Sequence, residues 1–189
     1  MKKIWSRVAA AGIILMILSG CSSNTTSYVR DDVDYSFIST VAIFPFKNLS
    51  QDVHANQRVH SIFVAQVLDR GMVSVIEYGT VLNAMTQMQL DVNSVLTPEQ
   101  IVELGKIMSV DGIFFGTVEE YGLERLSKDR TYAVTAAYSL AETQTGTMVW
   151  SAQTSTDGGS LGRKLFGGGS ASLYDVSKSN VNKALETLF

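Results

Sequence analysis

Residue types that commonly carry out catalysis are sparse in this chain of 189 residues. His54 and His60 are its two histidines, and they stand six positions apart in a segment with helical periodicity. Six positions correspond to about 240° of rotation around a helix, so the two imidazoles face different directions. No cluster of cysteine, histidine and carboxylate residues accompanies them in the sequence, as a zinc site requires. The sequence therefore predicts two solvated helix residues and no metal site.

Two adjacent carboxylates and a serine are the other groups that could act on a substrate. Glu119 and Glu120 lie in a predicted strand, where neighbouring side chains point to opposite faces unless a bulge intervenes. Ser160 lacks both a Gly-x-Ser-x-Gly elbow and a suitable histidine partner. Residues 167–170 precede a predicted helix but lack the lysine and the spacing of a phosphate-binding loop. We therefore predict that the protein is not an enzyme and binds no cofactor.

Cys21 is the only cysteine, so a disulfide within the chain is impossible. A basic start precedes an apolar run at residues 8–18, which is too short to span a bilayer. A basic start, a short apolar core and small residues before a cut form a secretory signal. Residues 18–21, Leu-Ser-Gly-Cys, are similar to the lipobox of bacterial lipoproteins. We therefore predict that residues 1–20 are a signal peptide and that Cys21 carries the lipid anchor.

The mature chain is predicted to be acidic and to form one domain behind a tether. Removal of the signal peptide takes away three of the 15 basic residues and none of the 18 acidic ones. An acidic chain without a basic cluster argues against nucleic acid as a partner. Residues 21–36 are small and polar and predict a flexible tether. Residues 37–189 are then a single periplasmic domain.

Hydrophobic periodicity predicts an α/β domain whose mixed sheet has about five strands and flanking helices. Its second half alternates between apolar and polar residues, which indicates an antiparallel meander. The predicted strands are residues 40–46, 72–77, 111–121, 131–142 and 147–156. The predicted helices are residues 53–70, 80–90, 98–108 and 173–188, the third of which begins with a capping box at Thr97.

Three segments, residues 41–48, 110–118 and 140–150, occur in the order seen in a known family. They resemble the periplasmic domain shared by CsgG-type curli-secretion lipoproteins, TolB amino-terminal domains and LpoB-type activators of penicillin-binding proteins. The CsgG pore does not carry over. Residues 122–130 and 157–172 are too short, and respectively too charged and too rich in glycine, to form membrane-spanning hairpins.

The resemblance implies a non-catalytic scaffold or accessory protein in envelope assembly or secretion, anchored in the outer membrane on its periplasmic side. It implies other envelope proteins as partners and a homo-oligomer. Ser22, in place of an aspartate after Cys21, is similar to the outer-membrane sorting class. An LpoB-like regulator of peptidoglycan synthesis and a periplasmic small-ligand sensor are the alternatives. The short, proline-free tether disfavours the first of these.

A glycine-rich connection at residues 157–172 carries the remaining candidate site. Arg163, Lys164, Leu165 and Phe166 place two cations and two large apolar side chains among glycines. Exposed arginine and aromatic residues often anchor interfaces, so these four residues are candidates for contact with a partner or a membrane. The alternative is a surface loop with no binding role.

Overall fold

The structure is a computed structural model that describes residues 23–30, 35–126, 129–159 and 171–188. The strands are β1 (Ser23–Val29), β2 (Thr40–Ile43), β3 (Lys47–Asn48), β4 (Ser74–Val75), β5 (Gly112–Leu126), β6 (Asp129–Glu142) and β7 (Met148–Asp157). The α-helices are α1 (Ala55–Arg70), α2 (Tyr78–Gln87), α3 (Pro98–Met108) and α4 (Leu173–Leu185). No helix in these ranges combines the length and apolar character needed to cross a bilayer.

The strands form one mixed sheet in the order β1-β7-β6-β5-β2-β4, and β3 pairs with β5 beyond the end of β2. Strands β2, β3, β4 and β5 form the parallel half, and β5 then pairs antiparallel with β6, as β6 does with β7 and β7 with β1. The predicted α/β class, mixed sheet and antiparallel second half are confirmed. Strand β2 ends before Pro45, because proline has no N–H to donate to a ladder, and β3 begins two residues later at Lys47.

Strand β1 forms where the sequence predicts a flexible tether. Its seven residues pair antiparallel with β7, from Ser23 opposite Thr156 to Val29 opposite Trp150. The backbone N–H of Arg30 continues the ladder with a bond to the carbonyl of Val149 at 3.0 Å. An edge strand of this kind is held by main-chain hydrogen bonds, so it needs no run of apolar side chains. The sheet therefore has seven strands and not about five.

One face of the sheet is covered by α1 and α4. The aromatic residues beneath these helices are in ring contact: Phe63 stacks on Tyr138 at 5.2 Å, and Phe114 meets Trp150 edge-on at 6.1 Å. All four of these residues are fully buried or nearly so. Close packing of large aromatic side chains supplies much of the stabilisation of a core. We call this side of the sheet the covered face.

A buried polar network lies within the covered face. Asn180 of α4 donates from its Nδ2 to the carbonyls of Val134 at 2.9 Å and Thr154 at 2.7 Å. The hydroxyl of Tyr138 donates to Asn180 Oδ1 at 2.9 Å. Burial raises the pKa of Tyr138, so this hydroxyl stays protonated and remains a donor. The network ties α4 to β6 and β7 and satisfies polar groups that have no access to water.

The opposite face of the sheet is covered only near the start of β5. Helices α2 and α3 pack there around Val81, Leu104 and Ile113. Gly105 of α3 lies directly against the side chain of Thr143, in the β6–β7 connection, with no space for a Cβ atom. Beyond this area the face has small polar side chains that are partly or fully exposed, and we call it the open face. They include Thr135, Ser139, Ser151, Gln153 and Ser155.

Two sets of local hydrogen bonds define where elements of the parallel half begin. Oδ2 of Asp111 accepts hydrogen bonds from the backbone N–H groups of Ser39 at 3.0 Å and Thr40 at 2.9 Å. Burial alone would raise the pKa of Asp111, but these bonds hold it below its ordinary value. The predicted capping box of α3 is confirmed, because Thr97 and Gln100 each accept from the other's backbone N–H. These contacts fix where β2, α3 and β5 begin.

Candidate binding surfaces

A groove of about 230 Å³ lies between the α2–α3 connection and β5. Phe44 and Phe115 are two of its apolar lining residues, and their rings meet edge-on with centroids 5.3 Å apart. Val95 in the connection and Met148 of β7 also line the groove, and Val95 is 87% exposed. Most of the lining is apolar, so the groove suits an apolar side chain or a small apolar ligand. The sequence does not predict this groove, because the path of a loop over a sheet leaves no periodic pattern of residues.

Lys47 holds one wall of the groove in place. Its Nζ donates to the carbonyls of Asn93 and Ser94, both at 3.3 Å. Within the same turn, the N–H of Asn93 donates to Asp91 Oδ1 at 2.6 Å, and the N–H of Asp91 donates to Ser94 Oγ at 3.0 Å. An ammonium group has three donors, and the two carbonyls take two of them. The third can meet an anionic group at the edge of the groove.

A bulge brings the adjacent carboxylates of β5 to the same face of the sheet. The pairing of β5 with β6 shifts register between Val118 and Glu120. Oε2 of Glu119 accepts from Nε2 of Gln153 at 2.9 Å, and Oε2 of Glu120 accepts from the hydroxyl of Thr135 at 2.9 Å. Both donors lie on the open face. The expected opposite orientation of the two glutamates is therefore wrong, because the extra residue of a bulge breaks strict alternation.

The two histidines lie in different surroundings, as their spacing predicts. His54 is exposed, and its backbone N–H donates to Asp52 at 2.9 Å. His60 is half-buried between Phe46 and Tyr78, each with a ring centroid 5.1 Å away. His60 is thus not fully solvated, and burial lowers the pKa of its imidazole. Within the described parts of the chain, no group of three or more His, Cys, Asp or Glu residues could hold a metal ion.

The other predicted site residues lie outside the described residues. These are Cys21, the residue expected to carry the lipid, and Ser160. They also include the candidate contact residues Arg163, Lys164, Leu165 and Phe166, together with the glycines at 167–169. The structure does show where the chain on either side of them lies. The chain leaves β1 towards Cys21 at Ser23, and residues 160–170 connect the end of β7 with the start of α4.

Comparison with protein-family models and with curated protein sequences gives no match. The chain is similar in structure to several solved proteins. The PelC dodecamer from Paraburkholderia phytofirmans is 17% identical, with a TM-score of 0.59 over 88% of this chain and 96% of that chain. Lipoprotein GNA1162 from Neisseria meningitidis is 20% identical, with a TM-score of 0.56 over 79% and 97%. The LpoB C-terminal domain from Salmonella enterica is 13% identical, with a TM-score of 0.49 over 67% and 87%.

The family resemblance drawn from the sequence is wrong. CsgG is not among the similar structures, and this chain shares its fold with PelC and GNA1162. The three motifs do not identify that family, because their residues have structural roles that a sheet of this kind requires. Asp111 ties the start of β5 to the start of β2, and Gly116 leaves room for the ring of Phe46. At these identities the similarity establishes the fold and not the function.

Proposed function

We propose that this protein is a lipid-anchored periplasmic accessory protein of the outer membrane that binds other envelope proteins and catalyses no reaction. One observation carries the proposal. Strand β1 begins at Ser23, two residues after Cys21, and is paired with β7 along its whole length. The folded domain therefore starts where cleavage before Cys21 would start the mature chain. That position suits an N-terminal lipid anchor. The acyl chains on a lipidated cysteine together give stable attachment to a membrane.

Self-association is part of the proposal. The fold is similar to that of PelC, whose structure is a dodecamer. In this chain, β1 is an edge strand with seven residues, and one side of it pairs with β7. Its described sequence has neither the proline nor the lysine that often blocks further pairing at an edge. Cross-linking and light scattering of the acylated protein in detergent would test this. A monomer at all concentrations would contradict it.

The anchor is tested by labelling cells with a palmitate analogue. Wild-type protein should take up the label and fractionate with the outer membrane. The Cys21→Ser variant should lose the label and appear in the soluble periplasmic fraction with its fold intact. A wild-type protein that is soluble and has an unmodified thiol would contradict the proposal. A Ser22→Asp variant serves as a sorting control, since it keeps Cys21 and changes only the residue after it.

The partner class is tested by cross-linking in the native host. An accessory protein should capture proteins of one envelope-assembly or secretion system. Capture of a peptidoglycan synthase instead would support the LpoB-type alternative. That alternative requires a long reach, yet only about 7 Å of extended chain separates Cys21 from the folded sheet at Ser23. The domain would therefore stay close to the outer membrane.

A small-ligand sensor is the second candidate, and the groove beside Lys47 favours it. At about 230 Å³ the groove is slightly below the usual range for small-molecule sites, so its ligand would be small. Apolar lining with an ammonium group at the edge suits a medium-chain carboxylate. Decanoate should then raise the melting temperature of the wild-type protein and have less effect on Lys47→Met. Equal or absent shifts in both proteins would remove this candidate.

A further inference from the structure

We propose that the end of the sheet at Leu123 of β5 and the start of α4 lie on the membrane surface, with Leu123 and Tyr174 in the lipid headgroup layer. The inference rests on the proposed lipid anchor at Cys21. It adds the orientation of the domain and the residues that meet the bilayer. The ligand is phospholipid at the surface of the leaflet that holds the anchor.

The register of the sheet shows which residues of the other strands lie beside Ser23, the first described residue after the anchor. Ser23 pairs with Thr156, Thr156 pairs with Val134, and Val134 pairs with Tyr121. These four residues therefore form one row across β1, β7, β6 and β5. Strand β1 is antiparallel to β5, so the chain before Ser23 continues in the same direction as the chain after Tyr121.

Leu123 lies beyond this row in the direction of the anchor. It is two residues past Tyr121, or about 7 Å further along the strand. Cys21 is two residues from Ser23, so the linking chain can reach at most about 7 Å beyond the same row. When the sulfur of Cys21 lies at the bilayer surface, Leu123 is therefore close to that surface too.

The exposed apolar residues at this end fit an interface. Leu123 is 61% exposed and pairs with Tyr132 in the hairpin. Leu49 is 71% exposed and lines the same shallow depression as Leu123, which has a volume of about 330 Å³. Large exposed apolar side chains gathered in one place usually mark a contact surface.

The start of α4 belongs to the same end of the domain. The N–H of Gly158 donates to the carbonyl of Tyr132 at 2.8 Å, and Ala171 packs closely against Gly158. Helix α4 begins at Leu173, and the next residue, Tyr174, is 59% exposed. A tyrosine with an apolar ring and a polar hydroxyl suits the boundary between lipid and water.

Single-cysteine spin labelling of the acylated protein tests this orientation. Cys21 is the only cysteine, so an introduced cysteine is the only free thiol once Cys21 is acylated. Leu123→Cys and Tyr174→Cys report on the proposed contact. Val95→Cys is the matched control, because Val95 is also exposed but lies beside Phe115, six residues or about 20 Å along β5 from Tyr121. The labelled proteins are reconstituted into vesicles of phosphatidylethanolamine and phosphatidylglycerol.

At positions 123 and 174, accessibility to a water-soluble nickel chelate should be several-fold lower than at position 95, and accessibility to oxygen should be higher. Equal chelate accessibility at all three positions, in protein that floats with the vesicles, would overturn the orientation and leave the anchor standing. Failure to float, with an unmodified Cys21, would instead overturn the proposed function and this orientation with it. Leu123→Ser and Tyr174→Ser together should keep the palmitate label and lower resistance to extraction with carbonate.

Discussion

The covered and open faces of the sheet differ in how much of their surface is buried and in how their polar groups are satisfied. On the covered face, α1 and α4 bury a continuous aromatic core, and Asn180 donates two hydrogen bonds and accepts one within it. On the open face, α2 and α3 cover only the start of β5, and small polar side chains such as Ser139 and Gln153 remain accessible. The comparison indicates that stability is concentrated on one face, while the other is free for contacts.

Asn180→Ala should break the covered face most severely. It removes three hydrogen bonds: the hydroxyl of Tyr138 loses its acceptor, and the carbonyls of Val134 and Thr154 lose the donor that α4 supplies in addition to the sheet. Urea unfolding should show a loss of about 2–4 kcal/mol, since a buried unpaired group costs about 1–3 kcal/mol and each further hydrogen bond contributes about 0.5–1.5 kcal/mol. Gln153→Ala on the open face is the control and should change stability by at most about 0.5 kcal/mol. Similar losses in both variants would contradict the division between the faces.

Gly105→Ala should have the next largest effect, because it acts where the open side is locally packed. A Cβ at this position would overlap Thr143, so α3 must move away from the β6–β7 connection. Overpacking of this kind costs about 1–3 kcal/mol. Gly79→Ala is the matched control, since Gly79 is also helical and has nothing near its missing Cβ. The control should be stabilised by about 0.5–1 kcal/mol in urea unfolding. If Gly105→Ala were also stabilised, α3 would not be packed as described.

His60 should make stability depend on pH. Burial lowers the pKa of its imidazole below the ordinary value of 6.5, so the folded protein favours the neutral form. The resulting stabilisation is present above about pH 6.5 and is lost as the pH falls, because the unfolded chain takes up the proton first. Urea unfolding between pH 7.5 and 5 should therefore show a shallower fall for His60→Phe than for the wild type. His54→Phe, at an exposed position, should keep the wild-type slope, and an unchanged slope in both variants would refute the assignment.

Thr135→Ala should have the smallest effect on the free energy of unfolding, and it tests how little the open face contributes to stability. Its hydroxyl donates to Glu120 at 2.9 Å and lies 3.1 Å from the hydroxyl of Ser155, which can donate to it, but water can replace both bonds. The free energy of unfolding should fall by less than about 1 kcal/mol. Amide exchange in α4 should stay unchanged, and a global loss of protection would show that the open face contributes more than proposed.

The helices and the central strands could be predicted because their signals are local. The capping box at Thr97 marked the start of α3, and alternation in residues 131–142 marked β6. Strand β1 could not be predicted, since Ser, Asn and Thr residues in an unpatterned run also suit a tether. Its formation depends on the free edge of β7, which lies more than one hundred residues away in the chain. Such long-range pairing leaves no local trace in the sequence.

The surfaces were harder to predict than the fold. In a regular strand, neighbouring side chains alternate between the two faces of the sheet. The bulge between Val118 and Glu120 breaks this alternation and cannot be recognised from the residue types. The groove depends on the path of residues 90–96 over β5, which Lys47 fixes through two carbonyls. The anchor end is different, because the lipid anchor at Cys21 is predicted from its sequence neighbours alone and stays a prediction. Its distance from the folded sheet could be known only once β1 was seen to be paired.

The pairing of β1 with β7 also has a mechanical consequence. A pull on the chain before Ser23 acts along the axis of β1, parallel to the ladder that joins it to β7. All the main-chain bonds between the seven paired residues then share the load, and none can be opened alone from the pulled end. A domain joined to its attachment point in this shear geometry should resist tension far better than one held by a strand that peels away one bond at a time.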